Sequence, residues 1–217
     1  MNSMGPKQQP TGFTLIECLV VVAVIAVLAG LLLPALAKAK ARAQRIQCVG
    51  NLKGIGLSLR QWSLDKTNAY PWSISTSYGG TLEHVPTGDV WRHFQVISNE
   101  LVRPEQLVCP ADRERTPARD FRSKLSNTNI SYFVGVDAAD TMPQMFLAGD
   151  RNIVGGTLLP GRILLVTSND VVRWDNRMHQ RQGNVALADG SVQGFSFSRL
   201  NEALRWTGVA TNRLALP

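Results

Sequence analysis

Between Cys18 and Ala37 the chain runs for twenty residues, CLVVVAVIAVLAGLLLPALA, without one charged side chain. At about 1.5 Å of rise per helical residue, a helix of that length spans the roughly 30 Å hydrocarbon core of a bilayer. A core helix of a water-soluble domain shows a polar stripe within two turns, and none is present here. The apolar core of a secretory signal peptide is shorter, about 7 to 15 residues, and ends at small residues before a cleavage site. Here Lys38, Lys40, Arg42 and Arg45 follow directly. The segment therefore reads as a membrane span that stays with the chain. Charge alone would hold those four cations in the cytoplasm, with only Lys7 and the terminal amine opposing them.

The rest of the 217 residues is ordinary enough to fold. With 44% hydrophobic and 18% charged residues the chain can build a real core in one or two domains. Gly and Pro, 18 and 11 residues, are near average usage, which excludes collagen-like and low-complexity classes. The net charge of +7 permits attraction to nucleic acid or anionic lipid and identifies neither.

Immediately ahead of the span stands Gly12-Phe13-Thr14-Leu15-Ile16-Glu17. A glycine, an apolar residue and then a carboxylate at the edge of a charge-free run resembles the class III signal of type IV pilins and type II secretion pseudopilins. The resemblance implies that a prepilin peptidase cuts between Gly12 and Phe13 and methylates the new amine of Phe13. Residues 1–12 would then be a discarded leader, and 13–37 a transmembrane helix that later forms the filament core. It also implies an orientation opposite to the charge count: N-terminus cytoplasmic and head periplasmic, in a bacterial inner membrane. From there the subunit would pass into a periplasmic or surface filament. The implied partners are the peptidase, inner-membrane lipid, an inner-membrane assembly platform, and copies of itself or other pilin-like subunits.

Glu17 fits that scheme on physical grounds. An ionised carboxylate at the middle of a membrane helix costs about 2.5 to 3.5 kcal/mol, and somewhat less near an end. A lone monomer meets that cost by snorkelling or protonation. A cation about 4 Å away offers on the order of 4 kcal/mol before desolvation is deducted. In the pilin-like family the proposed cation is the N-terminal amine of a neighbouring subunit, so Phe13 and Glu17 would together set register during assembly. Gly30 and Pro34 lie inside the run, and a mid-helix proline costs about 3 kcal/mol, so a bend or local loosening is expected there.

Beyond the span, Cys48, Leu52, Ile55, Leu59 and Trp62 recur at helical spacing on one face. The helix is predicted to continue through 38–67, ending near Asp65 with Asn68 and Pro71 as stops. Gly50, Gly54 and Gly56 weaken it unless they pack against a sheet. Residues 68–129 read as a variable loop region. Residues 130–217 read as an antiparallel sheet, with strands at 130–136, 144–147, 162–167, 184–188 and 191–197. Asp189-Gly190 suits a tight hairpin turn that sets Leu187 opposite Val192. A long helix followed by strands makes an α+β fold, with the sheet on the outer half of the helix, similar to the pilin fold.

His179 stands nine residues before Asp189-Gly190. This H-x9-DG spacing resembles a C-terminal pattern in bacterial pilin-like proteins with the same N-terminal signal. Five residues of strand separate His179 from Asp189 by roughly 17 Å, so they do not read as an acid-base or metal pair. Cys18 lies in the span as a small apolar residue. Cys48 and Cys109 would be exported, where they either form a disulfide or stay as two buried thiols. Zinc is not expected, because no second cysteine or histidine sits at ligand spacing beside either one. No cofactor is expected apart from calcium, which the resemblance admits at Asp170, Asp175 and Asp189 without EF-hand spacing to support it. Arg113, Arg115, Arg119, Arg122 and Lys124 are diluted by Glu114 and Asp120 and read as a solvated surface, not a nucleic-acid groove.

No phosphate loop, HExxH or G-x-S-x-G is present, so the chain does not read as an enzyme. The expected function is that of a pseudopilin-like structural subunit of a type II secretion or type IV pilus-like filament. The alternatives are a membrane-anchored protein binding DNA or polysaccharide through its basic head, and a tethered metallohydrolase using His179 and the aspartates.

Overall fold

A computed structural model describes residues 14–217. Helix α1, Leu15–Asp65, runs without interruption through Gly30 and Pro34. The chain divides into two compact units after Arg42. In the first unit the apolar side chains are exposed, Leu31 at 71%. Helix α1 is long and apolar enough to cross a membrane, which is how a helix with no polar stripe avoids water.

The second unit, from Ala43, is the head. Here α1 turns amphipathic: Cys48, Leu52, Ile55, Leu59 and Trp62 are buried, while Leu57 on the far side is 66% exposed. The helix stops where the sequence predicts. Thr67 and Asn68 take left-handed φ of 60° and 57°, and the Asn68 N–H donates to the Ser63 carbonyl at 2.9 Å. Of the three glycines only Gly56 packs against the sheet, and there an added Cβ would sit in ordinary contact, 3.6 Å from the Ala186 methyl, so packing does not demand glycine. Gly54 faces Gln106, and Gly50 faces open space.

Nine strands follow: β1 (Tyr132–Gly135), β2 (Phe146–Asp150), β3 (Ile153–Val154), β4 (Thr157–Leu159), β5 (Ile163–Thr167), β6 (Arg173–Trp174), β7 (Gly183–Leu187), β8 (Val192–Phe195) and β9 (Thr211–Ala215). Seven of them form one sheet in the order β4-β5-β9-β1-β2-β7-β8, and β3 and β6 pair separately. All pairings are antiparallel. The expected α+β architecture is therefore present, a long N-terminal helix whose outer part packs on an antiparallel sheet.

The sheet is covered on both faces, beyond the single helical cover expected. Tyr132, Val134, Leu147 and Ala186 share a core with α1. Alternate residues Phe133, Phe146, Val185, Leu187 and Phe195 join Trp174 and the buried Leu200 and Leu204 of a further helix, Phe197–Arg205. With both faces buried, β1, β2 and β7 lose the inside-outside alternation of a half-wet strand.

Two local expectations are corrected. Within 68–129, the part up to Leu107 is a series of short helical turns, and its Tyr70, Trp72, Phe94, Ile97, Leu101 and Leu107 enter the same core as α1, while 108–126 carries no helix or strand. In the β7–β8 hairpin Val192 faces Ala186 instead of Leu187. The Gly190 N–H donates to the Leu187 carbonyl at 3.0 Å, and Gly190 has φ 85°. The connection thus has three residues, a turn followed by a left-handed glycine, which moves the pairing by one position.

Candidate functional site

At the start of α1, Thr14 and Glu17 form a capping pair. The Thr14 N–H and hydroxyl donate to Glu17 Oε2 at 2.8 and 2.7 Å, and the Glu17 N–H donates to Thr14 Oγ1 at 3.4 Å. Orphan amides of a first turn need such acceptors, and the Thr-x-x-Glu spacing that supplies them is legible in the sequence. Gly12 and Phe13 lie outside the described residues. Gly30 has no other atom within 4 Å of where a Cβ would sit, and Pro34 lies within the helix. Cys18 is exposed and free.

The head holds a second arrangement, in its core. Cys48 comes from α1, Cys109 follows a helical turn at Pro104–Leu107, Asp150 ends β2, and His179 lies in the connection ahead of β7. One donor atom from each lies within 4.8 Å of every other. The Cys48 thiol donates to Asp150 Oδ1 at 3.0 Å, Cys109 Sγ meets His179 Nε2 at 3.2 Å, and the same Nε2 lies 3.6 Å from Asp150 Oδ2. The side chains of Asp150 and His179 are 0% and 2% exposed. Both cysteines are buried and free.

Neighbouring groups fix these donors. The backbone and side-chain N–H groups of Asn184 donate to Asp150 Oδ2 at 2.7 and 2.9 Å, and the Tyr132 hydroxyl donates to Cys48 Sγ at 3.5 Å. Arg45 Nε donates to Asn184 Oδ1 at 3.2 Å. The Asn152 amide reaches the carbonyls of Asp175, Met178 and Gln182, pinning the connection that carries His179. In that connection His179, Gln180 and Arg181 all take left-handed φ, 48°, 53° and 63°. Non-glycine residues pay about 1 to 2 kcal/mol each for that conformation, so this turn persists only because its surroundings hold it.

The electrostatics follow from burial and proximity. Burial pushes the Asp150 carboxyl up to about 6, with the Cys109 charge adding to it. The neighbouring Cys48 thiol brings Cys109 down to about 5 against the effect of burial, and His179 assists. Burial raises the Cys48 thiol well above its ordinary value. At His179 burial alone would favour the neutral ring, but the bond to Cys109 and the Asp150 charge outweigh it and raise the value. Cys109 and His179 thus favour each other's charged form beside the buried Asp150 carboxyl. This is not a nucleophile-base-orienter triad, because Cys109 and Asp150 meet the same ring nitrogen and every member is closed to solvent. Two sulfurs, one nitrogen and one carboxylate converging on a point are instead a donor set for a metal ion.

The spacing argument against such a set considers only residues close in sequence, whereas these four come from separate segments joined by the sheet. Asp150 is the member that sequence reading misses. The remaining candidates fold onto their own turns. Asp170 accepts from the Thr167 N–H and hydroxyl, Asp175 from Arg177, and Asp189 from the Ser191 N–H. Among the described residues these three aspartates do not gather into one site. Arg113, Arg119, Arg122 and Lys124 are exposed, and Arg115 is half-buried. The buried cation is Arg151, which forks onto Asp112 at 2.6 and 2.9 Å.

Residues 9–33 match the family model of the prokaryotic N-terminal methylation motif, the signal of type IV pilin and pseudopilin precursors. The match does not extend to the C-terminal pattern of His179, Asp189 and Gly190. No curated protein and no solved structure matches the chain.

Proposed function

We propose that the chain is a pilin-like structural subunit, not an enzyme. It is cut between Gly12 and Phe13 by a prepilin peptidase, methylated on Phe13 and assembled into a type II secretion or type IV pilus-like filament. The methylation-motif match over residues 9–33 is the observation that carries this reading. The charge-free span supplies the physical logic. Its exposed apolar surface is matched first by lipid and then by the same helix of neighbouring subunits, so it stays out of water in both states. In this reading the N-terminus is cytoplasmic and the head periplasmic. Glu17 pairs with the amine of a neighbouring Phe13, and Gly30 and Pro34 are where the helix yields on packing.

Co-expression of the full chain with and without a prepilin peptidase tests it by intact mass. The expected product lacks residues 1–12 and carries one methyl group, only when the peptidase is present. An unchanged N-terminus in both cultures would overturn the reading.

A further inference from the structure

We propose that Cys48, Cys109, Asp150 and His179 together bind one zinc ion, a structural site that clamps α1, the Cys109 segment, the end of β2 and the His179 connection to one another. Tetrahedral zinc, with bonds of about 2.3 Å to sulfur and 2.0 to 2.2 Å to nitrogen or oxygen, sets its ligands roughly 3.3 to 3.8 Å apart. Three contacts lie near those edges, Cys48 to Asp150 Oδ1 at 3.0 Å, Cys109 to His179 at 3.2 Å and His179 to Asp150 Oδ2 at 3.6 Å; with one donor atom taken from each residue every separation is within 4.8 Å, so closing around an ion needs side-chain shifts of about 1 Å and one carboxylate oxygen of Asp150.

Charge points the same way. Asp150 is buried, and among the described residues its partners are Cys48, Asn184 and His179, with no lysine or arginine. A buried carboxylate demands a counter-charge. Zinc supplies two positive charges against two thiolates and one carboxylate, and Arg45, held beyond Asn184, faces the remaining negative charge. Binding releases two protons, one from Cys48 and the one shared by Cys109 and His179.

The surroundings have the form of an outer shell that orients ligands: Asn184 on Asp150, Tyr132 on Cys48 and Asn152 on the His179 connection. A Cys48–Cys109 disulfide, the competing use of the same sulfurs, would leave Asp150 and His179 buried with no role for their convergence. A redox or nucleophilic role meets the obstacle that the cluster is shut from solvent. Soft thiolates with imidazole in a closed four-ligand set favour zinc over calcium or magnesium.

The test uses the full chain in detergent, purified under reducing, anaerobic conditions, equilibrated with zinc and desalted. Elemental analysis is expected to find about one zinc per chain, and C109S and H179Q each to lose it, while D175N retains it. Cobalt(II) in place of zinc should give thiolate-to-metal charge transfer and tetrahedral visible bands in the wild type, a readout independent of whether any variant folds. Y132F should keep the ion but bind it about 10-fold more weakly in competition with a chelator. Sub-stoichiometric zinc in a wild-type chain that gives no tetrahedral cobalt spectrum would overturn the proposal. So would zinc retained by both C109S and H179Q, or a Cys48–Cys109 disulfide in zinc-free protein taken directly from cells. None of these outcomes depends on processing at Gly12.

Discussion

Glu17 carries a charge into an apolar helix, and Thr14 gives that charge a local task as well as any intersubunit one. Two substitutions separate the tasks. E17A removes both cap acceptor and charge, costing about 1 kcal/mol of helix end stability while easing membrane insertion. E17Q keeps an acceptor for Thr14 and loses only the charge. Unchanged membrane content with filament yield falling equally in both variants is the expected outcome, read from sheared-filament and membrane fractions. Wild-type yield from E17Q would assign Glu17 to the cap alone. His93 gives a second residue-scale prediction. Its ring is buried, its Nδ1 shares a hydrogen bond of 2.7 Å with the Thr81 hydroxyl, and burial, with His84 adding and Asp89 opposing, lowers its pKa from 6.5 to about 4. The unfolded chain takes up a proton that the folded head refuses, so stability is lost as pH falls from about 6.5 towards 4, by about 3 kcal/mol in all. Asp150, raised to about 6, works in the opposite sense in this range. The comparison of wild type with H93Q therefore isolates the effect, and urea midpoints that diverge at pH 7 but converge near pH 4 are expected. At this scale the sequence reveals residue types, not encounters. Cys48, Cys109 and His179 stand out by chemistry, while Asp150 sits in an unremarkable FLAGDRN and lies 102 residues from Cys48. Cys109 and His179 are 70 residues apart, and no local ligand spacing can report a meeting that strand register brings about.

Among the elements, the outer half of α1 is the most readable, because one helical face writes its period directly into Cys48, Leu52, Ile55, Leu59 and Trp62. L52A should cost about 2 to 5 kcal/mol, since Leu52 is 0% exposed and leaves a cavity. L57A, on the exposed side, should stay within about 0.5 kcal/mol. Urea unfolding followed by tryptophan fluorescence measures both, and equal effects would place the wrong face against the sheet. The five strands expected from sequence all overlap observed ones, because β-branched and aromatic runs between turn residues are local signals. The helix Phe197–Arg205 and strand β9 are harder to read: the helix packs only Leu200 and Leu204 inward, and TNRLA carries a charge and little β-branching. The turns of 68–129 escape for a related reason. Their buried aromatics follow no single period, since Tyr70 and Trp72 enter the core from one short turn and Phe94 from another.

Considered as a whole, the head is a sheet closed from both sides, and the last strand in sequence lies in its middle. Strand β9 lies between β5 and β1, joining the two outer groups of strands. Leu214 and Ala215 pair with both neighbours at once. A stop codon ahead of Thr211 would leave a pair of half-sheets with facing raw edges, exposing unpaired amides and carbonyls that invite association with other chains. Such a chain is expected to lose its cooperative urea transition and to be degraded in cells. The head consequently has a keystone: β4-β5 and β1-β2-β7-β8 each pair within themselves, and those five residues alone complete the arch between them.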